Sequence, residues 1–379
     1  MSPHSKTYAP AKTSKSWQVI FLIIRLLLAA VFIFSGFVKI IDPLGFTYKI
    51  EDYLTAFGTF FIYFKPLALP ASIALSAFEL VMGLCLLFRV HIRYTALFSF
   101  LFMCVMTALT LYTVIANPVS DCGCFGDALI LSNNATFAKN VVLLVLTIAL
   151  LIYAKRMRSI FSPIAEWSIL ALFVAGCIAL SVYCWAYLPL IDFRPYKIGV
   201  NIPEAMSIPD GAPRDVYETT FIYEKDGKQQ EFTLENYPKN DSAWVFIDQK
   251  SVLISKGDEP KITEFSIMDA LYGDITEDVL YHEGNVYLLV IYDVNKTSEK
   301  GAKRAEKIYR EAMVRGDKFL ALTGSSKSDV ELFTQQTGVT YPFFETDPTT
   351  LKTIIRSNPG LVLINNGIIM DKKPWRRLK

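Results

Sequence analysis

Five long apolar stretches in the first half of the chain constrain its fold more than any other feature. A helix that crosses a bilayer needs about 20 apolar residues. Stretches of that kind predict spans near Gln18–Ile41, Leu67–Phe88, Tyr94–Ala116, Phe137–Tyr153 and Trp167–Leu190. The chain has 379 residues and is 52% hydrophobic. Because the apolar excess lies almost wholly in this half, we expect a membrane part followed by a water-soluble part. The first stretch is too long for a cleavable signal core and indicates a retained anchor.

Basic residues in the short flanks of the spans predict the orientation of the chain. They cluster before the first span, between the second and third, and between the fourth and fifth: Lys6, Lys12, Lys15; Arg89, Arg93; Lys155, Arg156, Arg158. These segments are predicted to be cytoplasmic, so the segment after Leu190 lies outside. We expect a bacterial inner-membrane protein in contact with lipid and a periplasmic C-terminal region, in a compartment that permits disulfides. A formal net charge of +2 without a basic stripe does not favour a nucleic-acid partner.

The outward loop between the third and fourth spans reads NPVSDCGCFGD and holds Cys122 and Cys124. Residues two apart can have Cα atoms about 5.5–7 Å apart, at the edge of disulfide geometry. Gly123 can take the dihedrals that closure needs, and a small strained disulfide is oxidising and labile. Asp121 and Asp127 are expected to raise the thiol pKa values. The pair is therefore interpreted as a disulfide that is attacked, rather than as a standing thiolate.

Two other interpretations of the cysteine pair stay open. A zinc site needs four ligands, commonly in separated pairs, and no second cysteine pair follows outside the membrane. We therefore expect no metal unless a partner chain completes the site. The third interpretation is a structural turn with two incidental thiols. The remaining cysteines, which lie within spans and are expected to act as small hydrophobes, are Cys85, Cys104, Cys177 and Cys184; Cys184 is the one placed near the outer face.

Ionisable residues inside spans are costly and indicate function. Arg25 and Glu79 both lie roughly 10–14 Å from the predicted cytoplasmic face, at 1.5 Å per residue. We predict a contact between them; the alternative is that Arg25 extends alone to the interface and Glu79 faces a polar cavity. Lys39 lies near the outer end of the first span. It is either an interfacial lysine or a cation that faces the cysteine loop and lowers a thiol pKa.

The C-terminal half has the patterns of strands and helices of a soluble domain. ETTFIYEKDGKQQEFTLEN predicts a hairpin around Asp226-Gly227, and SAWVFIDQKSVLIS predicts a further strand. NVYLLVIYDV and DKFLALTGS are typical of buried strands, and a charged helical segment lies between them, which predicts parallel pairing. SDVELFTQQTG predicts a helix with Ser328 as N-cap and Gly338 at its end. GLVLINNGIIM predicts a terminal hairpin.

This order resembles the thioredoxin-like fold of TlpA-like and peroxiredoxin-like proteins. EFSIMDALYGDITEDVL is similar to their lead-in segment, NVYLLVIYDV to the strand before their redox motif, and SNPGLVLI to their cis-proline strand. The resemblance implies a cis Asn358–Pro359 bond. The chain departs from the family because DVNKTSEKG stands where the redox cysteines belong, and no cysteine follows Cys184. We expect a degenerate domain that binds a partner or positions the membrane half.

The membrane half resembles the DoxX family in FIFSGFVKIIDPLGF and KIEDYLTAFG, and its MauE branch in DCGCFGD. The likeness covers roughly Ser16 to Tyr153. It implies a membrane component tied to redox chemistry or disulfide formation in exported proteins. MauE is linked to maturing a disulfide-rich dehydrogenase subunit in methylamine utilisation, and DoxX relatives to quinone-coupled sulfur oxidation.

The expected fold is therefore a four-helix DoxX/MauE-like membrane bundle, a fifth transmembrane helix, and a soluble α/β thioredoxin-like domain with a β-rich lead-in. The predicted domains are a cytoplasmic tail, the four-helix unit, the fifth helix with its basic loop, a β-rich periplasmic linker and the thioredoxin-like domain: 1–16, 17–154, 155–190, 191–258 and 259–379.

The leading functional hypothesis is a thiol–disulfide component in which Cys122 and Cys124 carry oxidising equivalents. Its partners are a periplasmic thiol protein or redox protein and, as acceptor, a membrane quinone. The alternative is a non-catalytic membrane scaffold whose tail recruits a periplasmic partner. A transporter with Arg25 and Glu79 along a polar path is the third option, although no inverted repeat or pair of broken spans supports it.

Overall fold

The computed structural model describes the chain from residue 15 to its end with seven short gaps. The described ranges are 15–119, 121–157, 159–208, 211–213, 216–225, 227–239, 243–255 and 257–379. The predictions made for Lys6, Lys12, Arg158 and Asp226 lie outside these ranges.

Five of the described helices are long and apolar enough to cross a membrane, which confirms the five predicted spans of an integral membrane protein. They are α1 (Lys15–Ile41), α4 (Ala68–Phe88, extended by a 3₁₀ turn at Lys65–Leu67), α5 (Ile92–Ala116), α6 (Asn133–Ala154) and α7 (Pro163–Tyr187). The fourth span is longer than predicted because Ser132 caps α6 by accepting from Ala135 N at 3.3 Å. The fifth ends three residues early, where Leu188 takes φ 125°.

Two short helices lie between the first and second spans: α2 (Pro43–Ala56) and α3 (Thr59–Ile62). Asp42 caps α2 by accepting a hydrogen bond from Gly45 N at 3.0 Å, and Pro43 takes the first helical position. Pro at this position has no N–H to leave unpaired and is set for the helix. The chain therefore turns at once from the first span into α2, which lies beside the cysteine loop.

Helices α1 and α4 pack closely because each has a glycine at their crossing. A Cβ on Gly36 of α1 would lie 2.5 Å from Leu80 N, and one on Gly83 of α4 would lie 2.7 Å from Ile33 N. Both distances are shorter than any real contact of a Cβ atom. Small residues let helix backbones approach closely in membranes, and this approach fixes which side chains of the two spans can meet.

The region after the spans is mixed α/β with two sheets. After α8 (Ile202–Met206), the smaller sheet has the order β2-β1-β3, all antiparallel, from β1 (Val216–Lys225), β2 (Lys228–Thr233) and β3 (Val245–Ser255). Lys225 pairs with Lys228 across the turn, where Gly227 has φ 74°. The predicted hairpin and the following strand are therefore confirmed.

The larger sheet has seven strands in the order β10-β9-β6-β7-β8-β4-β5. Its elements follow the chain as β4 (Met268–Asp269), β5 (Gly273–Asp274), α9 (Thr276–Leu280), β6 (Asn285–Ile291), α10 (Glu299–Arg315), β7 (Lys318–Thr323), α11 (Lys327–Thr337), β8 (Phe343–Glu345), α12 (Pro348–Ile354), β9 (Gly360–Asn365) and β10 (Ile368–Pro374). β6 pairs parallel with β7, and β9 and β10 form the predicted antiparallel hairpin. Apolar clusters cover both faces of this sheet.

Two local predictions in this sheet had different outcomes. The Asn358–Pro359 bond is cis, as predicted. The N-cap of α11 is Ser326, not Ser328: the Ser326 hydroxyl accepts from Asp329 N at 3.3 Å. The helix begins two residues earlier than predicted, because Ser326 accepts the hydrogen bond from an N–H of the first turn. Gly338 ends α11 with φ 71°, as predicted.

Candidate functional site

The cysteine loop is a compact turn held between the third and fourth spans. Gly123 and Gly126 have φ 68° and 51°, values that glycine adopts without strain. Gly126 N donates to Gly123 O at 3.1 Å, and Gly123 N donates to the Asp121 carboxylate at 2.8 Å. A Cβ on Gly123 would touch the Lys49 side chain at 3.0 Å. The loop is thus folded tightly against α2.

Cys122 and Cys124 are brought into direct contact by this turn. Their Sγ atoms are 2.9 Å apart, and both residues are buried, at 5% and 8% exposure. All six cysteines of the chain are free thiols in this structure. Such a contact allows the two sulfurs to share a proton or to form a bond without rearrangement of the backbone elsewhere. It does not yet distinguish a redox pair from a structural turn.

A buried ion pair lies directly behind the loop. Lys39 of α1 and Glu79 of α4 are joined at 2.6 Å, Nζ to Oε2, with side chains only 3% and 7% exposed. Lys39 Nζ also donates to Ser35 Oγ at 3.2 Å, and Ser35 Oγ donates to the carbonyl of Cys124 at 2.6 Å. A continuous polar path therefore links the membrane-buried charges to the loop.

The predicted contact of Arg25 with Glu79 is wrong. Arg25 Nη1 donates instead to the carbonyls of Leu86 and Leu87, at 2.5 and 2.7 Å. The last four carbonyls of a helix lack intrahelical partners, so Arg25 satisfies the end of α4. Glu79 lies about two turns before these carbonyls in α4, within reach of Lys39. The interpretation of Lys39 as a cation facing the loop fits this geometry better than that of an interfacial lysine.

Helix α2 supplies the groups on the other side of the loop. Lys49 Nζ pairs with Asp121 Oδ2 at 2.6 Å. Tyr53 is buried, and its pKa is raised by burial and then by the neighbouring Cys122 sulfur. From α6, Lys139 Nζ lies 4.2 Å above the ring of Phe125. Positive charge therefore approaches the thiols from α1, α2 and α6.

The two thiols differ strongly in acidity. The hydrogen bond from Cys122 lowers the pKa of Cys124 to about 6, and Lys139 and Lys39 add to this effect against burial and Glu79. The same hydrogen bond, together with burial, raises the pKa of Cys122. The expectation that neighbouring carboxylates would disfavour a thiolate is therefore wrong for Cys124. Both carboxylates are paired with cations: Asp121 with Lys49, and Asp127 with Arg356.

A small cavity adjoins this polar path. It has a volume of about 20 Å³ and touches Cys124, Ser35, Lys39, Glu79 and Asn140. A polar cavity of roughly 10–15 Å³ or more can hold one water molecule. The site thus has room for a single water beside Cys124, but not for an organic cofactor in this arrangement. Within the described part of the chain, no group of three or more His, Cys, Asp or Glu residues is arranged to hold a metal.

The loop of the C-terminal region that precedes α10 has no thiol but keeps an ordered arrangement. Asn358 Nδ2 donates to Asp293 O at 2.7 Å, Thr297 Oγ1 donates to Asn358 Oδ1 at 3.2 Å, and Ser298 N donates to Asn358 O at 3.2 Å. The cis Pro359 segment therefore lies against the start of α10. This face lies next to the four-helix membrane unit, residues 17–154, where Lys352 Nζ lies 4.9 Å above the ring of Tyr48 in α2.

Several residues of the site were not found from the sequence: Ser35, Asp42, Lys49, Tyr53, Lys139 and Arg356. Ser35 could have been found, because it lies four residues before Lys39 and hence on the same helix face. The others come from elements whose spatial order the sequence pattern does not give.

Comparison with known families separates the membrane unit from the rest of the chain. Residues 17–154 match the family described as methylamine utilisation protein MauE, which confirms the expected likeness over the first four spans. Residues 217–256, which form the small sheet, match a domain of unknown function, DUF8463. No curated protein and no solved structure matches the chain. The cysteine loop lies inside the MauE match, and the large sheet lies outside both matches.

Proposed function

We propose that the chain is a bacterial inner-membrane thiol–disulfide component in which Cys122 and Cys124 form and transfer a disulfide. The observation that carries the proposal is the contact of the two sulfurs at 2.9 Å beside a buried Lys39–Glu79 pair. Buried charges in a membrane are costly and mark functional sites. Here they lie behind the two thiols, and they come from the part of the chain that matches the MauE family.

The difference in acidity between the thiols gives the transfer a direction. In the oxidised pair, a client thiolate attacks Cys122 Sγ, and Cys124 leaves as the thiolate because the sulfur with the lower pKa leaves faster. A second client thiolate then attacks the mixed disulfide and displaces Cys122, which takes a proton. The client gains a disulfide bond, and the pair becomes a dithiol.

A membrane quinone is the proposed oxidant that restores the disulfide. The S–S bond would re-form as two electrons, the proton of the Cys122 thiol and a second proton from water passed to a quinone, which would leave as a hydroquinone. Lys39, Glu79 and Ser35 hold the charges and hydrogen bonds beside Cys124 during this step, and Lys39 stabilises the thiolate. The cavity of about 20 Å³ accommodates a water for proton transfer. The quinone would therefore act at the outer side of the loop or after a movement of the loop.

The C-terminal region is proposed to be a thioredoxin-like domain, residues 259–379, that docks a client or positions the loop. The strand order β10-β9-β6-β7 with its parallel β6–β7 pair and the cis Asn358–Pro359 bond support this proposal. The proposed boundaries between the domains of the chain lie after residues 16, 154, 190 and 258. Contacts of α2 and the cysteine loop with this region require all three to lie on one side of the membrane, and the basic flanks of the spans favour the periplasmic side.

Thiol trapping in intact cells tests the proposal. Cells are quenched in acid, free thiols are blocked, and the protein is then reduced and labelled with a heavy maleimide before peptide mass spectrometry. We expect the heavy label on Cys122 and Cys124 and not on Cys104, which serves as the control within a span. Two thiols that stay reduced in oxidised cells would reject the redox proposal.

A scaffold without redox chemistry is the second candidate, and the burial of both sulfurs favours it. The full-length protein in nanodiscs distinguishes the two. With a short-chain quinone as oxidant and dithiothreitol as reductant, a carrier forms hydroquinone at a rate that Cys122→Ala and Cys124→Ala each abolish. A scaffold gives the same slow background rate with wild type, with both variants and with the Cys104→Ala control.

A further inference from the structure

One arginine of the C-terminal region ties two parts of the membrane unit together. Arg356 follows α12 and donates through Nε to both carboxylate oxygens of Asp42, at 3.1 and 3.0 Å. Its Nη2 donates to Asp127 Oδ2 at 3.0 Å, and its Nη1 donates to Lys352 O at 2.6 Å. Arg356 is only 7% exposed. The planar guanidinium therefore joins segments 229 residues or more apart in sequence.

Each carboxylate that Arg356 binds controls one side of the cysteine loop. Asp42 caps α2, and α2 carries Lys49, which pairs with Asp121 just before the cysteines. Asp127 lies three residues after Cys124, in the turn that leaves the loop. The contacts of Arg356 therefore hold both the helix that supports the loop and the exit of the loop itself.

The linker segment that follows the fifth span covers the side of the cysteine loop that the spans and α2 leave open. Arg194 pairs with Asp192 at 2.7 Å and donates to Thr353 O at 3.0 Å, while Lys372 pairs with the same Asp192 at 2.7 Å. A cavity of about 30 Å³ between this linker, α2 and the loop is lined by Gly123 among other residues. The loop is thus enclosed by the spans, α2, the linker and the C-terminal region.

We infer that Arg356 is the positioning residue through which the C-terminal region holds the Cys122–Cys124 loop closed over the Lys39–Glu79 pair. The inference deepens the proposed function and rests on it for its purpose: a client reaches the sulfurs when these contacts open. Carboxylate–guanidinium contacts of this bidentate kind are among the strong hydrogen bonds of proteins. A buried guanidinium without its partners is strongly unfavourable, so the closed arrangement dominates until a partner competes for the contact.

Alkylation of the reduced, full-length protein in nanodiscs tests the inference. A bulky, membrane-impermeant maleimide is applied, and labelling of Cys122 and Cys124 is followed by peptide mass spectrometry. Because labelling requires local opening, Arg356→Gln is expected to accelerate it by at least about tenfold. Arg356→Lys keeps the charge but not the planar fork, so it should restore only part of the protection.

Matched controls separate local opening from general loss of structure. Arg310→Gln removes an arginine whose side chain is 70% exposed and should leave the labelling rate unchanged. Cys85 and Cys177, at 3% and 5% exposure, should stay protected in every variant. If they become labelled in Arg356→Gln, the variant Asp127→Asn is used instead, because it leaves the contact of Arg356 with Asp42 in place. Faster labelling of Cys122 in Asp127→Asn then supports the inference, and an unchanged rate overturns it.

Equal labelling rates in Arg356→Gln and Arg310→Gln would overturn the inference. Since the assay starts from the reduced protein, it does not depend on disulfide transfer. Thiols that remain reduced in cells would reject the proposed function and leave the positioning by Arg356 in place.

Discussion

Removal of Lys39 should destabilise the protein far more than removal of an exposed lysine that also pairs with a glutamate at the same distance. Lys39→Met leaves the Glu79 carboxylate buried without its cation, since the two partners are 3% and 7% exposed. Breaking one partner of a buried ion pair costs about 3–5 kcal/mol. The control is the Lys303–Glu299 pair of α10, which has the same 2.6 Å separation but 59% and 63% exposure. An exposed pair of this type contributes little to stability, because water and salt screen it.

The double variant Lys39→Met/Glu79→Gln should recover most of the loss, because it leaves no buried charge. A double-mutant cycle would then give a coupling of roughly 2–4 kcal/mol between the two sites. The measurement is thermal unfolding of the full-length protein in detergent, with a decrease in Tm for Lys39→Met on the order of 10 °C. If Lys39→Met lowers Tm no more than Lys303→Met does, the argument from burial is refuted.

Two further predictions concern the acidity of the thiols and the packing of the first two spans. Cys122→Ala removes the hydrogen bond that lowers the pKa of Cys124 to about 6. The pH midpoint of Cys124 alkylation should therefore move upward, and the alkylation rate at neutral pH should fall. An unchanged midpoint would contradict the role given to this hydrogen bond. Gly36→Ala should lower Tm although alanine favours helices, because its Cβ would lie 2.5 Å from Leu80 N. Gly176→Ala in α7, where a Cβ meets nothing within 4 Å, should leave Tm unchanged or raise it, and equal effects of the two substitutions would be the contrary result.

Local patterns in the sequence predicted most of the elements and few of the long-range contacts. Apolar runs predicted the spans, and Asn366-Gly367 predicted the terminal hairpin, since two-residue turns of this kind select few sequences. The end residues of the spans were predicted less accurately, because they depend on caps such as Ser132 rather than on hydropathy. The pattern predicted the parallel pairing of β6 with β7 and the terminal hairpin, but not the order of the other strands in the large sheet.

The partner of Glu79 could not be predicted from depth alone. Counting residues from span ends assumes that both helices start at the same membrane surface and run at the same tilt. Gly36 and Gly83 instead set the register of α1 against α4, and that register brings Lys39 to Glu79. A shift of two helical turns changes which charged side chains meet while leaving the hydropathy of both spans unaltered.

The lowered pKa of Cys124 could not be predicted from its neighbours in the sequence either. Along the sequence, the charges near the thiols are Asp121 and Asp127, and two neighbouring carboxylates disfavour a thiolate. In the fold, Lys49 and Arg356 pair with these carboxylates from 72 and 229 residues away, and Lys39 adds positive charge from α1. The hydrogen bond from Cys122 is the largest cause of the lowered pKa of Cys124, and Lys139 and Lys39 add to it. These two lysines belong to segments that a local count omits. Because Arg356 belongs to the C-terminal region, a tail without any cysteine still binds a carboxylate of the cysteine loop.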